Sequence, residues 1–152
     1  MQNKRTLDDW LNWQETLMEE TIVLGLDRVQ IVYDLLFPSG VPYAVITVAG
    51  TNGKGSTVSF IDSIYHESKY KVGRSTSPHL LKYNERFAID GKEVTDELII
   101  KAFELIETKR EGVTLTYFEF STLAALIIFA EASVDLAILE VGLGGRLDSV
   151  NE

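Results

Sequence analysis

The chain has 152 residues, of which 45% are hydrophobic, a size and composition that suit one globular core. Its net charge of −9 argues against nucleic acid and against an anionic membrane surface, both of which need a basic footprint. With no cysteine there is no disulfide framework, thiolate zinc site or cysteine nucleophile, and a cytoplasmic location is expected.

The N-terminal residues Gln2, Asn3, Lys4 and Arg5 are too polar for a signal peptide. Residues 6–20 predict a helix. Thr6 is placed to cap it, Asp8 and Asp9 suit its positive end, and Leu7, Trp10, Leu11, Leu17 and Met18 share a face. A second helix is expected from Asp27 through Val29, Val32, Leu35 and Leu36, broken by Pro38-Ser39-Gly40-Val41-Pro42. Residues 43–48 read as a buried strand, 50–55 as a glycine turn, and 56–69 as a helix with Val58, Ile61, Ile64 and Tyr65 on one side.

A further strand is expected over residues 71–76, then a loop through Ser77-Pro78-His79. Asp90-Gly91 predicts a two-residue hairpin turn between 86–89 and 92–94. Thr95 caps a helix to about residue 110, and another helix covers roughly 118–132. Its apolar stretch, 123–130, is too short to span a membrane and is followed by Glu131 and Asp135. Residues 134–141 read as a strand, and Gly142-Leu143-Gly144-Gly145 as a loop. Apolar strands alternating with helices predict a three-layer α/β core with a mainly parallel sheet. The chain stops straight after a glycine loop with no closing element, so a longer chain is expected.

The most informative segment is Gly50-Thr51-Asn52-Gly53-Lys54-Gly55-Ser56-Thr57, between a strand and a helix. Glycines let backbone N–H groups converge on an anion, and the following helix adds its positive end. Lys54 could reach β- and γ-phosphate oxygens, and Ser56 or Thr57 could offer a hydroxyl to magnesium. The strict GxxxxGK[ST] spacing is not met, because Val48 stands at the first glycine position and Gly55 follows Lys54. The run Leu136-Ala137-Ile138-Leu139-Glu140 ends an apolar strand in a carboxylate suited to a magnesium ion on the β- and γ-phosphates.

Residues 46–56 resemble the ATP loop of the Mur-ligase superfamily, in the form typical of folylpolyglutamate synthases. Four more segments agree in order: Leu24-Gly25-Leu26-Asp27-Arg28-Val29; Thr76-Ser77-Pro78-His79-Leu80 with Asn84-Glu85-Arg86; Thr116-Tyr117-Phe118-Glu119; and residues 140–151. The resemblance implies a P-loop-type ATPase core like the Mur-ligase central domain, present only in part. Residues 1–152 would then be the N-terminal part of an ATP-binding domain, lacking a C-terminal glutamate-binding domain. It implies an ATP- and Mg2+-dependent ligase that joins L-glutamate to dihydropteroate or a folate through an acyl phosphate.

By the same resemblance Lys54 contacts the β- and γ-phosphates, and Ser56 lies at the phosphate–magnesium edge. Ser77 and Glu140 match the family's magnesium ligands. Leu24, Gly25, Leu26, Phe118 and Asp148 match the dihydropteroate site. Arg86 and Arg146 are weaker candidates for anionic groups. A monomer is expected, and this length of chain alone is expected to be inactive as a ligase. The alternatives are a nucleoside triphosphatase or phosphotransferase using the same loop, or a non-catalytic nucleotide-binding module.

Overall fold

A computed structural model describes residues 4–18, 27–50 and 52–140. Helix α1 spans Leu7–Met18. The Thr6 hydroxyl accepts the Asp9 N–H at 3.2 Å, and the Asp9 carboxylate accepts the Thr6 N–H at 2.9 Å, so the expected cap is closed from both sides. Helix α2 spans Asp27–Leu36 and buries Val29 and Val32. Strand β1 is Ala44–Val48, helix α3 Lys54–Glu67 and strand β2 Val72–Ser75. A 3-10 turn over Tyr83–Arg86, which the sequence reading did not include, leads into β3, Phe87–Ile89. Strand β4 is Lys92–Glu93, helix α4 Asp96–Lys109, helix α5 Tyr117–Glu131 and strand β5 Leu136–Glu140.

The sheet order is β1-β5-β2-β3-β4. β5 pairs in parallel with β1 and with β2, while β3 and β4 add an antiparallel hairpin. The hairpin turn is the expected one, with Asp90 and Gly91 at φ of 50° and 78°. Side chains on β5 alternate between two layers. Leu136 and Ile138 join Val48, Val58 and Val72 on the α3 side. Ala137 and Leu139 join the larger cluster formed with α1, α2, α4 and α5. The three-layer α/β expectation holds.

Helix α5 is the centre of that larger layer. Every residue from Glu119 to Phe129 is buried, in keeping with its apolar character on all sides. It lies against β2 so closely that a Cβ on Gly73 would sit 2.5 Å from Phe129 Cδ1. On the other side of the sheet, Arg74 Nη1 of β2 meets Asp62 Oδ2 of α3 at 3.3 Å. Among the described residues no helix is long and apolar enough to cross a membrane.

Two expectations fail in detail. Among the described residues β1 is not a buried strand: it pairs there only with β5, and Ala44, Val45 and Thr47 are exposed, leaving Val48 alone buried. Short apolar runs report β propensity but not the place of the strand in its sheet. Ile64 was expected on the packed face of α3 but is 50% exposed, and Phe60 is exposed as well. The helix meets the sheet through Val58, Ile61 and Tyr65.

The Gly73–Phe129 contact leaves no room for a methyl group. Gly73→Ala should lower unfolding stability by about 1 to 3 kcal/mol in denaturant titration. Adding Phe129→Leu to that variant should recover part of the loss.

Candidate active site

Register decides where the chemistry-bearing loops go. Val48 lies opposite Glu140, and Ser75 lies opposite Leu139, so β1, β5 and β2 end together. The Gly50–Gly55 loop leaves β1, the Ser77 loop leaves β2, and Glu140 closes β5 at the same carboxyl edge of the parallel strands. Such edges are where open α/β sheets bind ligands.

The phosphate loop enters α3 through Gly53, an N-cap in the left-handed region at φ 75°, with no side chain capping the helix. The first turn contains no acidic residue either. Among the described residues, no capping side chain or first-turn carboxylate stands in for an anion at this positive helix end. Lys54 opens the helix, and its Cγ would lie 3.9 Å from a Cβ placed on Gly50, so the side chain lies over the space beside that glycine. Asn52, Gly55 and Ser56 are exposed. The Thr57 hydroxyl donates to Gly53 O at 2.9 Å, which ties it to the turn. Thr51 lies outside the described residues.

Ser77, Arg86, Phe118 and Glu140 line one narrow cleft together with Thr76 and Thr122. The structure thus unites three residues that the sequence offered separately: two of the three magnesium candidates, Ser77 and Glu140, and Phe118, the aromatic of the proposed pterin site. Among the described residues no three His, Asp or Glu side chains form a metal cage. The donors here are hydroxyls and one buried carboxylate, a hard oxygen set that fits Mg2+ better than a softer metal. Ser56 does not line this cleft. Leu24, Gly25, Leu26, Arg146, Asp148 and the loop Gly142-Leu143-Gly144-Gly145 lie outside the described residues.

Arg86 carried little weight in the sequence, yet it is firmly placed. Its guanidinium stacks between the rings of Tyr83 and Tyr117, at 5.4 and 5.6 Å from their centroids. Its Nε donates to His79 Nδ1 at 2.8 Å. Tyr83 is buried against the Ser121 hydroxyl, and burial raises its phenol pKa, keeping the group neutral. Beside it, Glu85 accepts the N–H groups of Leu80, Leu81 and Lys82, which lowers its pKa and holds the loop after His79. The signal was present in the sequence, because Asn84-Glu85-Arg86 stands within a segment already singled out.

No family model matches the chain. Individual relatives do. It is 47% identical over 95% of its length to the dihydrofolate synthase/folylpolyglutamate synthase of Escherichia coli, and 50% identical over 99% to that of Haemophilus influenzae. The chain is a homologue of the dihydrofolate synthase/folylpolyglutamate synthases. It spans about a third of their length, 34% and 35% respectively. It superposes on E. coli FolC in complex with DHPP and ADP with a TM-score of 0.90 at 46% identity, covering 97% of this chain and 36% of that one. The Yersinia pestis bifunctional synthase complexed with AMPPNP and Mn ion gives a TM-score of 0.91 at 45% identity, with coverages of 99% and 37%.

His79 supplies a pH test of this corner. Desolvation first, and then the Arg86 charge, lower its pKa below the ordinary 6.5. The unfolded chain therefore takes up the proton before the folded one does, and stability falls as pH drops below about 6.5 towards the folded-state pKa. Urea titrations between pH 7 and pH 5 should show this loss, and His79→Asn should flatten it. An imidazole NMR titration at or above 6.5 would contradict the placement.

Proposed function

We propose that this chain forms the nucleotide-binding part of an ATP-dependent ligase that adds L-glutamate to dihydropteroate or a folate. The observation that carries the reading is the meeting of the Gly50–Gly55 loop, Ser77 and Glu140 at the ends of three adjacent parallel strands. The likeness to FolC bound to DHPP and ADP, and to a bifunctional folylpolyglutamate synthase/dihydrofolate synthase with Mn, AMPPNP and L-glutamate bound, supports the choice of substrates.

A carboxylate is a poor electrophile, so the reaction must first give it a leaving group. A substrate carboxylate oxygen attacks the γ-phosphorus, the bond to the β-bridging oxygen breaks, and ADP leaves. The glutamate amine then attacks the acyl carbon, the carbon–oxygen bond to phosphate breaks, and the amine loses a proton as the amide forms. The residues of this chain contribute by placing groups and neutralising charge. The loop from Gly50 to Thr57, Thr51 included, cradles the phosphates, and Lys54 balances charge on the β- and γ-oxygens. Ser77 and Glu140 would hold Mg2+, with Ser56 toward the phosphates, and the ion would supply positive charge beside the phosphoryl group being transferred. Phe118 stacks on the flat pteridine, with Leu24, Gly25, Leu26 and Asp148 completing that site. A cytoplasmic monomer belongs to the same reading, and 152 residues alone are expected to bind nucleotide without forming the amide.

ADP release by the complete protein tests this directly. It should require both a pteroate or folate and glutamate, and Lys54→Ala should lower it by ~10²-fold or more. ADP release that needs neither acid nor amine would instead mark a simple nucleoside triphosphatase.

A further inference from the structure

The segments around Arg28 and Glu119, 91 residues apart in the chain, meet in the fold. Arg28 Nη2 donates to Glu119 Oε1 at 3.2 Å, and Nη1 donates to Thr114 O at 3.2 Å. Glu119 is also the third residue of α5 and closes its capping box. The Thr116 hydroxyl accepts the Glu119 N–H at 3.2 Å, and Glu119 Oε1 accepts the Thr116 N–H at 3.3 Å. One carboxylate oxygen thus joins the start of α5 to the start of α2. Phe118 sits inside this closed turn, and Arg28 stands two positions after Leu26 in the chain.

The pair is an expensive way to hold two helices together. The Glu119 side chain is 9% exposed, that of Arg28 is 20% exposed, and Glu119 Oε2 is buried with no hydrogen-bond partner. Desolvating such a pair commonly cancels its Coulombic gain, so net stability is a poor reason for it. What the geometry supplies is placement. Arg28 reaches a carbonyl and a carboxylate at once, and both flank the turn that aims Phe118 into the cleft shared with Ser77, Arg86 and Glu140.

We propose that Arg28 and Glu119 are positioning residues for the pteridine end of the acid substrate. They hold the turn that carries Phe118 to the start of α2. This rests on the ligase reading given above and deepens it, because both residues are assigned to act through Phe118.

Steady-state kinetics on the complete ligase test it. Arg28→Met and Glu119→Gln should each raise KM for dihydropteroate roughly tenfold, while KM for ATP and for glutamate stays within about twofold. Glu119→Gln keeps the acceptor for the Thr116 N–H, so the cap of α5 survives and folding is preserved. Arg28→Lys, with charge but without the fork, should recover part of the loss. Because the two residues act as a unit, the double variant should be no worse than the worse single one. A brace with no bearing on the substrate would lower the active fraction and leave all three KM values unchanged, which would overturn the inference, as would a parallel rise in all three. If the wild-type ligase releases no ADP in response to dihydropteroate or folate, the proposed function fails and takes this inference with it. A normally active wild type with unchanged dihydropteroate KM in the variants defeats the inference alone.

Discussion

The parallel pairing of β5 between β1 and β2 is the constraint on which the site depends. Because Val48 stands opposite Glu140 and Ser75 opposite Leu139, three strand ends distant in sequence lie at one level. A slip of one residue in either pairing would exchange the two faces of β5. Leu136 and Ile138 would lose the α3 layer, and Glu140 would leave the cleft it shares with Ser77 and Phe118. The alternation of apolar side chains on β5 thus holds both the core and the placement of a buried carboxylate.

Around that edge, polar groups are used mainly to hold backbone. Glu85 collects three N–H groups of the loop after His79, and Glu119 closes the start of α5 while receiving Arg28. Arg86 is held by two aromatic rings and a histidine nitrogen. These groups limit the motion of Phe118, Ser77 and the cleft they share with Glu140. The phosphate loop differs. Its N-cap is a glycine in the left-handed region, with no capping side chain, so the positive end of α3 keeps its affinity for an anion.

Much of this was legible before any coordinates. Thr6 and Thr95 each cap the helix expected after them, and Asp90-Gly91 can form few turns other than the observed one. The glycine loop followed by a helix pointed to phosphate in the same local way. Less legible was anything that required knowing a neighbour. Nothing in residues 44–48 says that, among the described residues, β1 pairs on one side only. Ile64 and Ile61 have equal claims to an apolar face, and the choice between them belongs to the sheet that α3 covers. The 3-10 turn at Tyr83–Arg86 has no apolar period to announce it, since it is held by Glu85 reaching back along the chain.

By itself the sequence determined the local elements, the phosphate loop and the order of the segments that carry chemistry. Those follow from caps, turn residues and periodicity, which act over a few positions. Tertiary structure decided which of these residues meet. Ser77, Phe118 and Glu140 share a cleft because β2, α5 and β5 pack in one register, and Arg28 finds Glu119 across 91 positions for the same reason. Contacts of that range depend on how whole elements stack, and no short-range preference encodes them.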